Sequence, residues 1–177
     1  MPVYHSTMLD QKVATACGSA LLPLKTKVKG PAPPAKPSEP DVIDEAISFF
    51  RANVLFRSFQ TQGPADLTLA YLTAFIAEVL RFFAKQKTKE DARKKLTELS
   101  MSQNFPIPGD KNFALAGFFA VPASRAESDS FRQYYRQMRE ELCNRMLDIA
   151  YDAQGNQNKW WIAFSKRKFM NITSISL

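Results

Sequence analysis

From Pro64 to Phe83 the chain is apolar around almost the whole circumference of a helix. Leu69, Leu72, Ile76, Val79 and Phe83 recur in a three-four rhythm, and Leu67, Tyr71, Phe75 and Phe82 fill much of the remaining surface. Pro64 suits a first helical position, where its missing N–H costs nothing. A helix greasy on all sides must be walled in by others. Glu78 and Arg81 interrupt the stretch, and the run Leu67 to Phe83 reads as too short and too charged for a bilayer, which needs about 20 mostly apolar residues. A central core helix is the reading that fits.

The walls are available in the sequence. Asp41 is a good N-cap, with Asp44 and Glu45 in the first turn of a segment carrying Ile43, Ile47, Phe50 and Val54 on one stripe and Val42, Phe49 and Phe56 on another. Thr88 with Asp91 resembles a capping box ahead of a narrow apolar face, Ala92, Leu96 and Leu99. Ser124 with Glu127 opens the longest periodic segment, in which Phe131, Tyr135, Met138, Leu142, Met146 and Ile149 share a face. Asn104 to Gly109 must turn the chain. Phe113 to Val121 fits helix or strand, and so does the closing Trp-Trp block, with a short helix preferred there. These segments predict an all-α fold: a single domain of about five helices, one of them central and surrounded by the others.

Residues 1–40 predict an irregular, extended arm ending in a proline-rich connector, and residues 41–177 the helical domain. Leu21, Leu22 and Leu24 pin the arm, while Gly30 to Pro37 is stiff and unable to continue a helix. Pro31-Ala-Pro-Pro34 fits the short pattern of an SH3-type ligand, although a plain spacer is much the commoner use of such a stretch.

The net charge of +7 is uneven. Residues 1–36 carry +4, residues 159–177 carry +4, and the body between them carries −1. Two basic ends on a neutral body suit an acidic partner surface. Lys25, Lys27 and Lys29 at one end, and Lys166, Arg167 and Lys168 at the other, are therefore the candidate contacts. Trp160 and Trp161 join them, because adjacent aromatics diverge and only one of the two can complete the chain's own core. A solvated charge excess and a core tryptophan are the plain alternatives. The Lys166–Lys168 triplet beside aromatics also permits a free-standing nucleic-acid-binding protein, although no recognition helix or stacking sheet accompanies it.

Reactive chemistry finds no support. His5 is the lone histidine and sits on an arm expected to be flexible, and Glu140 and Glu141 diverge on their helix. Cys17 and Cys143 have neither metal spacing nor an activating histidine, which predicts free, inert thiols, no metal and no cofactor. Asn171-Ile-Thr173 matches the glycosylation pattern, which carries no weight without secretion. No charged, apolar leader is visible, so a cytosolic protein is expected.

Several blocks together resemble one family, subunit 3 of the actin-related protein 2/3 complex. They are Tyr4-His-Ser6, Ala20-Leu-Leu-Pro-Leu24, Gly30-Pro-Ala-Pro33, Asp44-Glu-Ala46 and Phe50-Arg-Ala-Asn53. They continue through Pro64-Ala-Asp66, Asn104 to Gly109, Arg139-Glu-Glu-Leu142, Lys159-Trp-Trp161 and Lys166 to Asn171, in order along the chain. Departures concentrate in Lys85 to Ser102 and Ser124 to Ser130. The resemblance implies an all-helical, non-catalytic subunit of a seven-subunit assembly that nucleates branched actin filaments at the cell cortex. It implies docking chiefly on the actin-related protein 3 subunit, with the mother filament and the second actin-related subunit nearby. Nucleotide binding belongs to the actin-related subunits, so no catalytic or cofactor residue is carried over.

Overall fold

The computed structural model describes residues 3–100, 104–172 and Ile175. Among these, two short strands precede five α-helices: β1 (Thr15–Ala16), β2 (Ser19–Ala20), α1 (Val42–Asn53), α2 (Pro64–Ala84), α3 (Lys89–Ser100), α4 (Arg125–Ala150) and α5 (Lys159–Ile162). Helix α2 is the central one. Pro64 stands at its first position, Asp66 faces its positive N-terminal end, and residues 65–77 are all buried. It packs against β2, α1, α4 and α5 and the two 3₁₀ turns that follow α5. At 21 residues and a mean hydropathy of 1.6 it is long and apolar enough to cross a membrane, which corrects the expectation that it is too short. The run counted from Leu67 to Phe83 left out the first turn, Pro64 to Asp66, and the last residue, Ala84. The same window is 72% buried inside the chain, so its apolar surface is already covered by protein.

The flanking helices begin where the caps place them. The Asp41 side chain accepts the Asp44 N–H at 2.9 Å while Asp44 accepts the Asp41 N–H at 3.1 Å, a reciprocal box. Asp91 N–H donates to Thr88 Oγ1 at 3.2 Å ahead of α3. Ser124 caps α4, but Glu127 does not close the box on it. Its carboxylate instead accepts the N–H groups of Ala123 and Cys17, each at 2.8 Å, and so ties the hairpin to the start of α4. Those two bonds hold the Glu127 carboxyl below its ordinary range.

Phe113 to Val121 is neither helix nor strand but a run of turns. Its buried positions, Phe113, Leu115 and Phe119, follow neither a period of two nor one of 3.6. Phe113 and Phe119 meet edge to face at 5.4 Å and join Tyr71, Phe131 and Tyr135 in one aromatic cluster. Within it Phe131 and Tyr135, one helical turn apart, stack at 3.9 Å.

The first forty residues lie against the helices. Cys17 (φ 51°) and Gly18 (φ 82°) form the left-handed turn between β1 and β2, as a two-residue hairpin requires. Leu22 and Leu24 are buried, and Leu22 O accepts the Tyr134 hydroxyl at 2.8 Å. Leu24 exchanges backbone hydrogen bonds with Pro33 and Ala35, so the proline stretch is fastened along its own chain. His5, expected on a flexible arm, is held by a buried acid: its Nδ1 lies 2.6 Å from Asp66 Oδ2. Asp66 also accepts Ser6 N–H and Gln62 N–H at 2.8 and 2.9 Å, while Glu45 accepts the Ser6 hydroxyl and the Thr7 N–H.

Candidate functional site: a docking surface

The Trp-Trp block is a short helix. Asp152 Oδ1 accepts Gln154 and Asn156 N–H groups to form the preceding turn, in which Gly155 takes φ 82°. Asn158 then caps α5 by accepting Trp160 N–H at 3.0 Å. The 100° step between neighbours on a helix separates the two indoles. Trp161 turns inward, stacking on Phe50 at 6.1 Å with the Arg51 guanidinium 4.6 Å from its ring centre. Trp160 is 78% exposed, the most exposed large apolar side chain among the described residues.

Beyond α5, a 3₁₀ turn (Ala163–Lys166) leads into Arg167 and Lys168, and all three basic side chains are exposed. Their backbone is fixed at both ends. Phe164 meets Phe50 at 5.9 Å, Arg81 donates to Arg167 O at 3.1 Å, and Phe169 is buried edge-on to Phe59 at 5.8 Å. Met170 and Asn171 both take left-handed φ, 49° and 59°, which packing must hold in place. The result is a packed segment that leaves one indole and three cations exposed. Thr173, from the glycosylation pattern, lies outside the described residues.

The other basic end is placed elsewhere. Lys25 is half-buried, with Nζ 2.6 Å from Asp44 Oδ2, so its charge is engaged inside the chain. Lys27 and Lys29 are exposed, on a segment held by Gln137, which donates to Val28 O and accepts Ala32 N–H. Lys25 thus sits at the N-terminal end of α1, and Trp161 packs against its C-terminal half.

Nothing reactive converges here. Among the described residues no group of three His, Cys, Asp or Glu side chains is placed to hold a metal. Burial, reinforced by Glu127, pushes the Cys17 thiol up to about 11, and burial pushes Cys143 up to about 12, partly opposed by Arg139. Both are neutral thiols at physiological pH.

Two arginines of α4 turn toward the body of the protein. Arg145 binds Asp41, Asp44 and Glu141 together. Arg139 is buried between aromatic rings. The acids at Asp41 and Asp44 were a usable signal for Arg145, masked by their equally good reading as caps.

Comparison with known proteins gives the family. Residues 1–174 match the family model described as P21-Arc: ARP2/3 complex ARPC3 (21 kDa) subunit. The chain is 46% identical over 171 residues to "Actin-related protein 2/3 complex subunit 3" of Arabidopsis thaliana, covering 96% of this chain and 98% of that protein. The like-named protein of Schizosaccharomyces pombe is 45% identical, covering 97% and 98%, and that of Dictyostelium discoideum 44%, covering 96% and 98%. The chain therefore belongs to the ARPC3 family of ARP2/3 complex subunits.

Proposed function

We propose that this chain is a non-catalytic structural subunit of a cytoplasmic actin-related protein 2/3 complex, docking on the actin-related protein 3 subunit and lying near the mother filament. The observation that carries the reading is the exposed Trp160 on its packed segment beside Lys166, Arg167 and Lys168. A rigid aromatic anchor costs little entropy on binding and supplies large apolar area. The three cations steer an acidic actin-like surface toward it and set its register. Lys27 and Lys29 extend the positive field on a second face, while Lys25 and Trp161 hold the scaffold. The family membership supports the assembly role.

The test is recovery of partners by the tagged full chain from nuclease-treated cell lysate. Recovery of both actin-related subunits at near-equal amounts is expected. Loss of all protein partners after nuclease treatment overturns the proposal and favours a nucleic-acid-binding protein.

A further inference from the structure

A cavity of about 240 Å³ opens between α2, α3, α4 and the loop that carries Phe105. Phe75, Leu96, Phe105 and Leu147 form its apolar wall, and Arg136 and Arg139 line it from α4. Arg139 is only 8% exposed, yet no carboxylate among the described residues pairs with it. Its guanidinium lies 4.6 Å from the Phe75 ring centre and 4.2 Å from that of Phe105, and Nη1 donates to the Tyr71 hydroxyl at 3.0 Å. Ring faces offset part of the cost of burying the cation, and among the described residues the Tyr71 hydroxyl is the one acceptor that its guanidinium bonds. Arg145, on the same helix, shows the contrast: three carboxylates surround it. Arg136, one turn before Arg139, forms no ion pair among the described residues and is half-exposed in the cavity lining. Glu140 also lines the cavity, as does Arg93, whose own ion pair is with Glu90 at 3.2 Å.

We infer that this cavity receives the C-terminal residue of a partner polypeptide, its apolar side chain against the Phe75–Leu96–Leu147 wall and its α-carboxylate on Arg139 and Arg136. Planar guanidinium groups match a carboxylate in paired, charge-assisted hydrogen bonds. The volume falls below the roughly 300–1,000 Å³ of sites for drug-sized ligands and suits one residue. A polypeptide C-terminus carries an apolar side chain and a carboxylate on the same carbon, which is what the juxtaposed wall and cations require. The inference rests on the assembly reading, since it presumes a polypeptide partner.

The experiment titrates the full chain, by calorimetry, with acetyl-Gly-Ser-Ala-Leu bearing a free carboxylate, with its C-terminal amide, and with acetyl-leucine. The free acid is expected to bind at least about tenfold more tightly than the amide. Arg136→Gln, at a half-exposed unpaired site, is expected to shrink that ratio to about threefold or less without shifting thermal unfolding. Equal binding of acid and amide, no binding by either, or an unchanged ratio in Arg136→Gln overturns the assignment. Acetyl-leucine binding as tightly as the peptide also overturns it and marks a small-molecule site. Partner recovery from lysate is read on the same preparation. If the actin-related subunits are recovered while acid and amide bind alike, the cavity assignment falls alone; if they are not recovered, the assembly reading falls.

Discussion

Arg145 grips Asp41 with both arms of its guanidinium, Nη1 to Oδ1 at 2.7 Å and Nη2 to Oδ2 at 2.8 Å. Asp41 is at the same time the N-cap of α1, so one carboxylate starts one helix and locks it to another. Nη2 also donates to Lys25 O at 2.6 Å, and Asp41 accepts Lys25 N–H at 2.9 Å, which clamps the N-terminal segment into the same joint. Burial pushes the Asp41 carboxyl up, but the bonds from Arg145 and from the Lys25 and Asp44 N–H groups outweigh it and hold it below its ordinary value.

Arg145→Met is therefore expected to lose about 3 kcal/mol of stability at pH 7, because it leaves Asp41 buried and uncompensated. A carboxyl depressed in the folded state stabilises fully above its unfolded value near 3.9 and loses that contribution as pH falls through its folded value. The gap between wild type and Arg145→Met should accordingly shrink as pH falls below about 4. Urea unfolding at pH 7 and at pH 3 checks both the size and the sign.

At the other joint, Asp66 receives His5, Ser6 and Gln62 in a fully buried site. Asp66→Ala is expected to cost about 2 to 3 kcal/mol by orphaning those donors. The Ser6 and Thr7 amides should then exchange with solvent much faster than the α2 core, as read by hydrogen exchange.

Gly30 is set by contact and not by a special backbone angle. A Cβ there would meet the Oε1 and Cδ of Gln137, and its Cβ at 2.8 Å. Gly30→Ala should displace Gln137 from Val28 and Ala32 and cost about 1 to 3 kcal/mol, measured as a lower urea midpoint at unchanged slope.

The thiols offer a check on inertness. With Cys17 raised to about 11 and Cys143 to about 12, iodoacetamide at pH 8 should label neither at more than a small fraction of the rate seen in 6 M urea. Rapid labelling of folded protein at pH 8 would show an activated thiolate.

Much of this architecture was readable in advance because single residues dictate it locally. Asp41, Pro64 and Ser124 set helix starts, and the circumference of α2 sets its central place. What was not readable depends on partners distant in sequence. Glu127 looked like a local cap and bonds Cys17, 110 positions away. Arg145 lies 104 positions from Asp41, and His5 is 61 from Asp66. The divergence of Trp160 from Trp161 followed from helix geometry, but which one faces outward is decided by Phe50 and Arg51.

The surface account turns on Trp160 and its neighbouring cations, and it separates binding from folding. Trp160→Ala should change stability by no more than about 0.5 kcal/mol, since the side chain is exposed, whereas Trp161→Ala should cost about 2 kcal/mol. Association of the full chain with the purified actin-related protein 3 subunit, followed across a salt titration, measures the rest. Trp160→Ala is predicted to weaken that affinity by about 30-fold, and replacing Lys166, Arg167 and Lys168 by Ala to slow association and flatten its salt dependence. Wild-type affinity and salt slope in both variants would contradict the account.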